Sequence, residues 1–237
     1  MSELTPAGTL YVVATPIGNL EDLTLRALRV LKEVDLVACE DTRRTRALLS
    51  HYGIHAAVTS YFEHNKLRKG EFLLRALQSG QSVALVTDAG TPGISDPGFL
   101  LVRQAREAGV PVVPIPGPSA VVAALSAAGV PADRFVFEGF LPQKPGRRRR
   151  RLEALRDLET TVVCYESPHR LLVALEAIGE VFGEVEVVVA RELTKQFEEI
   201  VTGTPSDLRE RFARGPVRGE ITLIIPYTRR PWAFPGP

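Results

Sequence analysis

Short apolar runs rich in β-branched residues recur along the chain, separated by stretches in which apolar residues return every three or four positions. The runs predict strands over Leu10 to Ala14, Asp35 to Cys39, Ala57 to Ser60, Val83 to Thr87, Val110 to Ile115, Arg134 to Glu138, Thr160 to Cys164, Glu186 to Ala190 and Gly219 to Ile225. Strands alternating with helix-length segments give an α/β fold of repeated βα units around mostly parallel sheets. Several runs, such as Val187-Val188-Val189-Ala190, are apolar at successive positions, which predicts sheets covered on both faces.

Helix punctuation agrees with this reading. Asp96 and Pro97 supply an N-cap and a first-turn proline, and Gly109 stands where a left-handed residue would end that helix. Pro118 opens a second helix over Ser119 to Ala128, closed by Gly129, whose residues are small and apolar nearly all round and are therefore expected to be buried. The proline-rich stretch Pro111 to Pro118 is the best boundary, giving an N-terminal α/β domain over 1–116 and a C-terminal α/β domain over 117–237. Pro231 to Pro237 reads as an irregular tail.

Composition then narrows the classes. The chain has 237 residues, 45% apolar and 24% charged, the proportions of a globular protein. Its 29 basic and 28 acidic side chains leave a net charge of +1, so any nucleic-acid site must be a local patch. Cys39 and Cys164 are far apart and have no metal-ligand spacing, which predicts neither a disulfide framework nor a zinc site. The opening Met-Ser-Glu-Leu-Thr-Pro lacks the basic and apolar regions of a signal peptide, and no apolar run approaches the ~18 residues of a membrane span. A cytoplasmic protein with no membrane association is expected.

The chain lacks the phosphate-loop, dinucleotide, zincin and serine-hydrolase motifs. Instead, predicted strands end in residues suited to a site: Thr15 to Asn19, Glu40 to Arg43, Asp88 to Gly98 and Tyr165 to Arg170. Ligands of open α/β sheets bind outside the carboxyl ends of strands, so these loops are expected to face a crevice between the domains. Each also has a purely structural reading. Asp88 to Gly98 could be a turn-rich connection, although its length exceeds an ordinary βα loop of about 2–6 residues. Pro114 to Ala120 could be a hinge that opens a helix, and Thr42 could simply cap one. His64 and His169 are isolated and read as solvated or structural, and Glu192 with Lys195 reads equally well as a surface ion pair.

As a set, Leu10-Tyr-Val-Val-Ala-Thr-Pro-Ile-Gly-Asn-Leu20, Glu40-Asp-Thr-Arg43, Tyr61-Phe-Glu-His-Asn65, Asp88-Ala-Gly-Thr-Pro-Gly-Ile-Ser-Asp-Pro-Gly98, Pro114-Ile-Pro-Gly-Pro-Ser-Ala120 and Tyr165-Glu-Ser-Pro-His-Arg170 resemble the ribosomal RNA small subunit methyltransferase I family. This is the ribose 2′-O-methyltransferase branch of the tetrapyrrole methylase superfamily. The resemblance runs from about Leu10 to Ile225; family members continue into a small C-terminal helical segment, whereas this chain stops at Pro237. It implies two α/β domains, S-adenosylmethionine in the cleft between them, a homodimer, and 2′-O-methylation of a cytidine ribose in the decoding region of 16S rRNA in the small ribosomal subunit.

Carried over by motif, Pro16, Gly18, Gly90, Thr91, Pro92, Ile94, Ser119, Ala120, Tyr165 and Leu193 resemble the family's donor-binding positions. Methyl transfer from a sulfonium is an in-line displacement that needs positioning and exclusion of water, so no metal is expected. A ribose hydroxyl is a weak nucleophile, and Glu40, Asp41, Glu63, Glu166 and Glu192 are the candidates to assist it. The alternatives are a tetrapyrrole-type small-molecule methyltransferase and a non-catalytic ribosome-associated RNA-binding protein.

Lys144 and Arg147, Arg148, Arg149, Arg150 and Arg151 form a basic run before a helix through Leu152 and Leu155. Cations at a helix N-terminus oppose its dipole, so helix stability does not explain the run. Arginines fork onto phosphate oxygens, so the run is expected to bind RNA, with the adjoining prolines and glycine able to form a mobile arm that orders on it; the alternative is a solvated helix start.

Overall fold

The computed structural model describes residues 7–96 and 98–227. The chain falls into two compact units, one ending at Ser119 and the other beginning at Ala120.

The first unit contains β1 (Leu10–Val13), α1 (Leu25–Glu33), β2 (Leu36–Cys39), α2 (Thr42–His51), β3 (Val58–Ser60), α3 (Lys66–Gln78), β4 (Val83–Leu85), α4 (Phe99–Glu107) and β5 (Val112–Ile115). Its sheet has the order β3-β2-β4-β1-β5, and every pairing is parallel. Side chains of one strand alternate between two cores. Ala84 and Val86 pack with Ala27, Val30 and Leu31 of α1, whereas Val83 and Leu85 pack with Leu73 and Leu77 of α3 and Leu101 of α4. Both faces are covered, which is why these strands read as unbroken apolar runs. Pro114 lies in β5, which has a single sheet neighbour, so the missing N–H costs no central ladder bond.

The second unit contains α5 (Ala120–Ala127), β6 (Phe135–Phe140), α6 (Pro145–Arg156), β7 (Thr161–Glu166), α7 (Leu171–Phe182), β8 (Val187–Arg191), β9 (Glu199–Gly203), α8 (Pro205–Ala213) and β10 (Ile221–Ile225). The sheet order is β6-β7-β10-β8-β9. The α/β class holds here too, but with more antiparallel pairing than the βα pattern alone implied. The β6/β7 pair is parallel, whereas β10 runs antiparallel to both β7 and β8, and β9 antiparallel to β8. The short link between β8 and β9 can return the chain only as an antiparallel neighbour, and β10 follows α8 into the middle of the sheet. One core joins Val162, Val189 and Leu223 of the sheet to Leu152 and Leu155 of α6, Leu175 of α7 and Leu208 of α8.

Four local expectations change. Strand β9 was not visible as an apolar run, because its residues are only partly buried at the sheet edge. The helix α5 is not buried all round: Val121, Ala124 and Leu125 form its buried stripe, while Val122 is 61% exposed. Asp96 is not the cap of α4, whose N-cap is Gly98; its carboxylate instead accepts from the N–H groups of Gly93 and Gly98 at 2.8 and 2.6 Å. Thr42 is the first residue of α2, and Asp41 caps it by accepting from the Arg43 N–H. The expected ends at Gly109 and Gly129 are left-handed, with φ of +72° and +66°. Pro97 and the Pro231 to Pro237 tail lie outside the described residues. Among the described residues no helix is long and apolar enough to cross a membrane.

Candidate active site at the strand ends

In the first unit, the loops that follow β1, β4 and β5 are joined by backbone. Thr15 and Gly90 form an isolated antiparallel bridge, Thr15 N–H to Gly90 O at 2.9 Å and Gly90 N–H to Thr15 O at 3.0 Å. The buried Thr15 hydroxyl donates to Thr87 O at 3.0 Å, and the Thr91 hydroxyl to Pro118 O at 3.3 Å. Gly90 holds φ +84°, a conformation open to glycine and costly for a β-branched residue. A Cβ built on Gly117 would stand 3.0 Å from the Ala14 Cβ, so glycine lets the β5 loop lie close against the end of β1 without displacing Ala14. These contacts gather Pro16, Gly18, Gly90, Thr91, Pro92 and Ser119 into one group of loops. Pro16 and Pro92 are buried, Gly18 is exposed, and Ile94 keeps 50% of its surface exposed.

Carboxylates crowd the neighbouring strand ends. The Thr87 hydroxyl donates to Glu40 Oε1 at 2.5 Å. Burial, helped by a hydrogen bond with Asp96 and by the charge of Asp88, pushes the Glu40 carboxyl up to about 7, against the pull of the Thr87 hydroxyl. Asp41 is held down to about 2 by the hydrogen bonds it accepts from Arg43. Asp88 Oδ1 accepts from the Asp41 N–H at 3.1 Å, and Oδ2 lies 3.3 Å from Arg44 Nη1. Beside this cluster is a cavity of about 330 Å³ whose lining includes Pro16, Leu20, Arg44, Leu48, Thr87 and Asp88. Glu63 stands apart, exposed and paired with Lys66. His64 is exposed beside Phe62.

In the second unit, Tyr165 packs edge-on against Phe137 with centroids 4.9 Å apart and also touches Phe140. The next residue, Glu166, is a buried acid whose Oε1 accepts from the Ser167 N–H at 2.7 Å and lies 2.6 Å from Arg170 Nη2, while Oε2 has no hydrogen-bond partner among the described residues. Burial pushes its carboxyl up, against the Ser167 N–H and the Arg170 and Arg148 guanidiniums. His169 is exposed. Leu193 is buried in the turn after β8, where Glu192 and Thr194 take left-handed φ of +52° and +67°. Glu192 pairs with Lys195 at 2.7 Å, and its pKa is lowered chiefly by that hydrogen bond. Ala120 opens α5.

The basic run is not a mobile arm: Arg147 to Arg151 lie in the first turns of α6, which Pro145 starts and Leu152 and Leu155 anchor. Arg148 is 5% exposed and donates to Gln143 O, because positions 148, 152 and 155 share the buried face. Arg151 forks onto Glu138 at 2.6 and 2.5 Å, and Arg149 pairs with Glu153. Arg150 donates to the Gly146 carbonyl and, with Lys144 and Arg147, remains exposed. Arg148 at i, i+4 and i+7 to the two leucines was the sequence signal that separated it from its neighbours. Thr87 and Arg44 also serve the site without having been singled out, since threonine or arginine at a strand end carries no distinctive motif, and Thr15 and Asp96 lay in highlighted loops without a site role of their own.

Comparison with known proteins places these residues in context. The family model for Tetrapyrrole (Corrin/Porphyrin) Methylases matches residues 9–209. The chain is 58% identical over 221 residues to the ribosomal RNA small subunit methyltransferase I of Escherichia coli O157:H7, covering 92% of this chain and 77% of the relative. It is 54% identical over 224 residues to the protein of the same name from Mesorhizobium japonicum, covering 94% and 76%. Among solved structures it is similar to uroporphyrin-III C-methyltransferase from Thermus thermophilus complexed with S-adenyl homocysteine, with a TM-score of 0.62, 20% identity, and coverage of 92% of this chain and 97% of that one.

Proposed function

The chain belongs to the tetrapyrrole methylase family, within it to the ribosomal RNA small subunit methyltransferase I group, and on that premise we propose that it methylates small-subunit ribosomal RNA from S-adenosylmethionine. The acceptor is the 2′-hydroxyl of a cytidine ribose in the decoding region of 16S rRNA, and the enzyme works in the cytoplasm as a homodimer on the small ribosomal subunit. The observation that carries this reading is the knot of β1, β4 and β5 loops tied by the Thr15/Gly90 bridge and the Thr91 bond to Pro118.

The residues fit a compact donor with an apolar body and polar ends. Gly90 and Gly93 leave two turns of the loop without side-chain bulk, Thr91 offers a hydroxyl, and Ile94 offers half of its apolar surface. S-adenosylmethionine supplies a methyl group on a sulfonium, so the chain's task is to position the acceptor and exclude water, without a metal of its own. Gly90, Thr91, Pro92 and Ile94, with Pro16, Gly18, Ser119, Ala120, Tyr165 and Leu193, are the donor-binding set. Of the five candidate carboxylates, Asp41, Glu63 and Glu192 are committed to a helix cap or to surface ion pairs and Glu166 to a buried one. Glu40, held near neutrality behind Thr87, is the one poised to exchange a proton at the pH of the cell.

Lys144, Arg147 and Arg150 are the phosphate-contacting part of the basic run, since their heads are exposed and have no carboxylate partner among the described residues. The test is transfer of labelled methyl from S-adenosylmethionine to small subunits prepared from a strain that lacks the enzyme, with the product mapped by mass spectrometry. A 2′-O-methylcytidine in the decoding region is expected. Methylation of a porphyrinoid with no transfer to subunits, or subunit binding with no transfer to anything, would replace this reading.

A further inference from the structure

The cavity of the first unit shares Pro16 and Gly18 with the proposed donor-binding set and is otherwise lined by residues outside that set. Pro16, Leu20 and Leu48 give it apolar walls, and the hydroxyls of Thr15 and Thr87 are turned to protein partners, to Thr87 O and to Glu40. Asp88 and Arg44 are the charged residues on its lining. The Asp88 side chain is 25% exposed and is fixed in orientation by the Asp41 N–H on one oxygen and Arg44 on the other. A carboxylate oxygen so held still has a free lone pair.

We propose that this cavity is the acceptor pocket and takes one pyrimidine nucleoside splayed out of the RNA strand, with Asp88 selecting cytosine by accepting a hydrogen bond from its exocyclic amino group. The proposal rests on the rRNA-methylating reading above and assigns the part of the molecule that chooses the base. Size favours it, because about 330 Å³ falls at the small end of ligand pockets, enough for one nucleoside rather than a macrocycle. Charge favours a neutral base over a phosphate, because Arg44 is already engaged by Asp88, and Asp41 and Glu40 stand close behind. The apolar walls suit the faces of a base, and unstacked bases of single-stranded RNA are the ones that proteins read by their edges. Cytosine presents an amino group where uracil presents a carbonyl oxygen, so a carboxylate rewards the first and repels the second. The placement also suits transfer, since Thr15 lines the cavity and its backbone is paired with Gly90 of the donor loop.

Two variants test the assignment on the intact protein. Asp88→Asn offers both an acceptor and a donor, and so loses the preference while keeping the shape. Ala47→Trp adds bulk from an exposed position of α2 on the cavity lining, where it does not disturb the core. Methylation kinetics are measured on small subunits whose target is cytidine or, by a directed change in the rRNA, uridine. Donor-site integrity is followed by calorimetric titration with S-adenosylhomocysteine. Wild type should favour cytidine by about ten-fold or more in kcat/KM. Asp88→Asn should bring that ratio close to one. Ala47→Trp should lower kcat/KM for the subunit by about ten-fold or more with S-adenosylhomocysteine affinity unchanged. A folded Ala47→Trp protein with normal kinetics, or an Asp88→Asn protein with the wild-type base preference, overturns the pocket assignment while leaving the methyltransferase reading in place. A wild-type protein that methylates neither subunit overturns that reading and this one with it.

Discussion

Arg170 Nη2 lies 2.6 Å from Glu166 Oε1, a carboxylate whose side chain is only 1% exposed. The same guanidinium donates to Leu141 O at 3.2 Å, so Arg170 ties the loop after β7 to the end of β6 while balancing a charge placed out of water. The pair is asymmetric, because the Arg170 side chain keeps 23% exposure and can be hydrated alone, whereas Glu166 cannot. Arg170→Ala should therefore cost about 3 kcal/mol, and Glu166→Gln about 1 kcal/mol. Urea denaturation of both variants checks the order. Equal losses would show that the carboxylate is hydrated despite its burial.

Glu40 sets a pH dependence of known sign. Its carboxyl titrates at about 7 in the folded protein against an ordinary 4.5, with Asp96, Asp88 and Thr87 as the groups facing it. Between those values the folded state keeps a proton that the unfolded chain has released, so this contribution to stability is full below about 4.5, falls as pH rises, and levels off above about 7. Glu40→Gln mimics the protonated form and should remove the fall, gaining about 1–3 kcal/mol on wild type between pH 5 and pH 8. Chemical denaturation at the two pH values measures it.

Gly90 tests backbone against bulk. The nearest atom to a Cβ built there is Ile17 Cγ2 at 3.6 Å, an ordinary contact, so the obstacle to a side chain is the φ of +84°. Gly90→Ala should cost about 1–2 kcal/mol through strain, and Gly90→Val more, with the Thr15 bridge weakened in both. Calorimetric titration of the folded Val variant with S-adenosylhomocysteine should show binding lost. Unchanged affinity would take this loop out of the donor site.

The basic helix should divide into two behaviours. Arg147→Ala with Arg150→Ala should weaken subunit binding and flatten its salt dependence by about 0.7 to 0.9 log units per phosphate contact removed, leaving thermal stability intact. Arg148→Ala should instead lower the melting temperature, because Arg148 is buried and its charge helps to balance Glu166. If all three substitutions act alike on binding and none on stability, α6 is a uniform charged face.

What could be read in advance follows burial. Strands such as Val187–Arg191, with both faces covered, announce themselves as apolar runs, and the loops after β1 and β4 stood out because strand ends rarely carry so many glycines, prolines and acids. Glu199–Gly203 did not, since a short edge strand that is only partly buried shows no clear apolar run. The Thr15/Gly90 bridge joins positions far apart in the chain and leaves no periodic trace. The arginines misled as a block, because like residues in sequence face unlike surroundings once wound into a helix. The distinction lay in their spacing from Leu152 and Leu155, not in their number.

The two sheets differ in when they can be completed during synthesis. The first needs nothing beyond β5, so its last strand, Val112–Ile115, is made before any strand of the second sheet. In the second, β10 is the last strand among the described residues and lies between β7 and β8, so until Ile221–Ile225 emerges those two strands have no common neighbour and two inner edges stand unpaired. The nascent protein thus carries a finished N-terminal sheet and an open second sheet while the residues between β8 and Ile221 are being made. A premature stop a few codons before Ile221 would remove the central staple of the second unit, not a dispensable end.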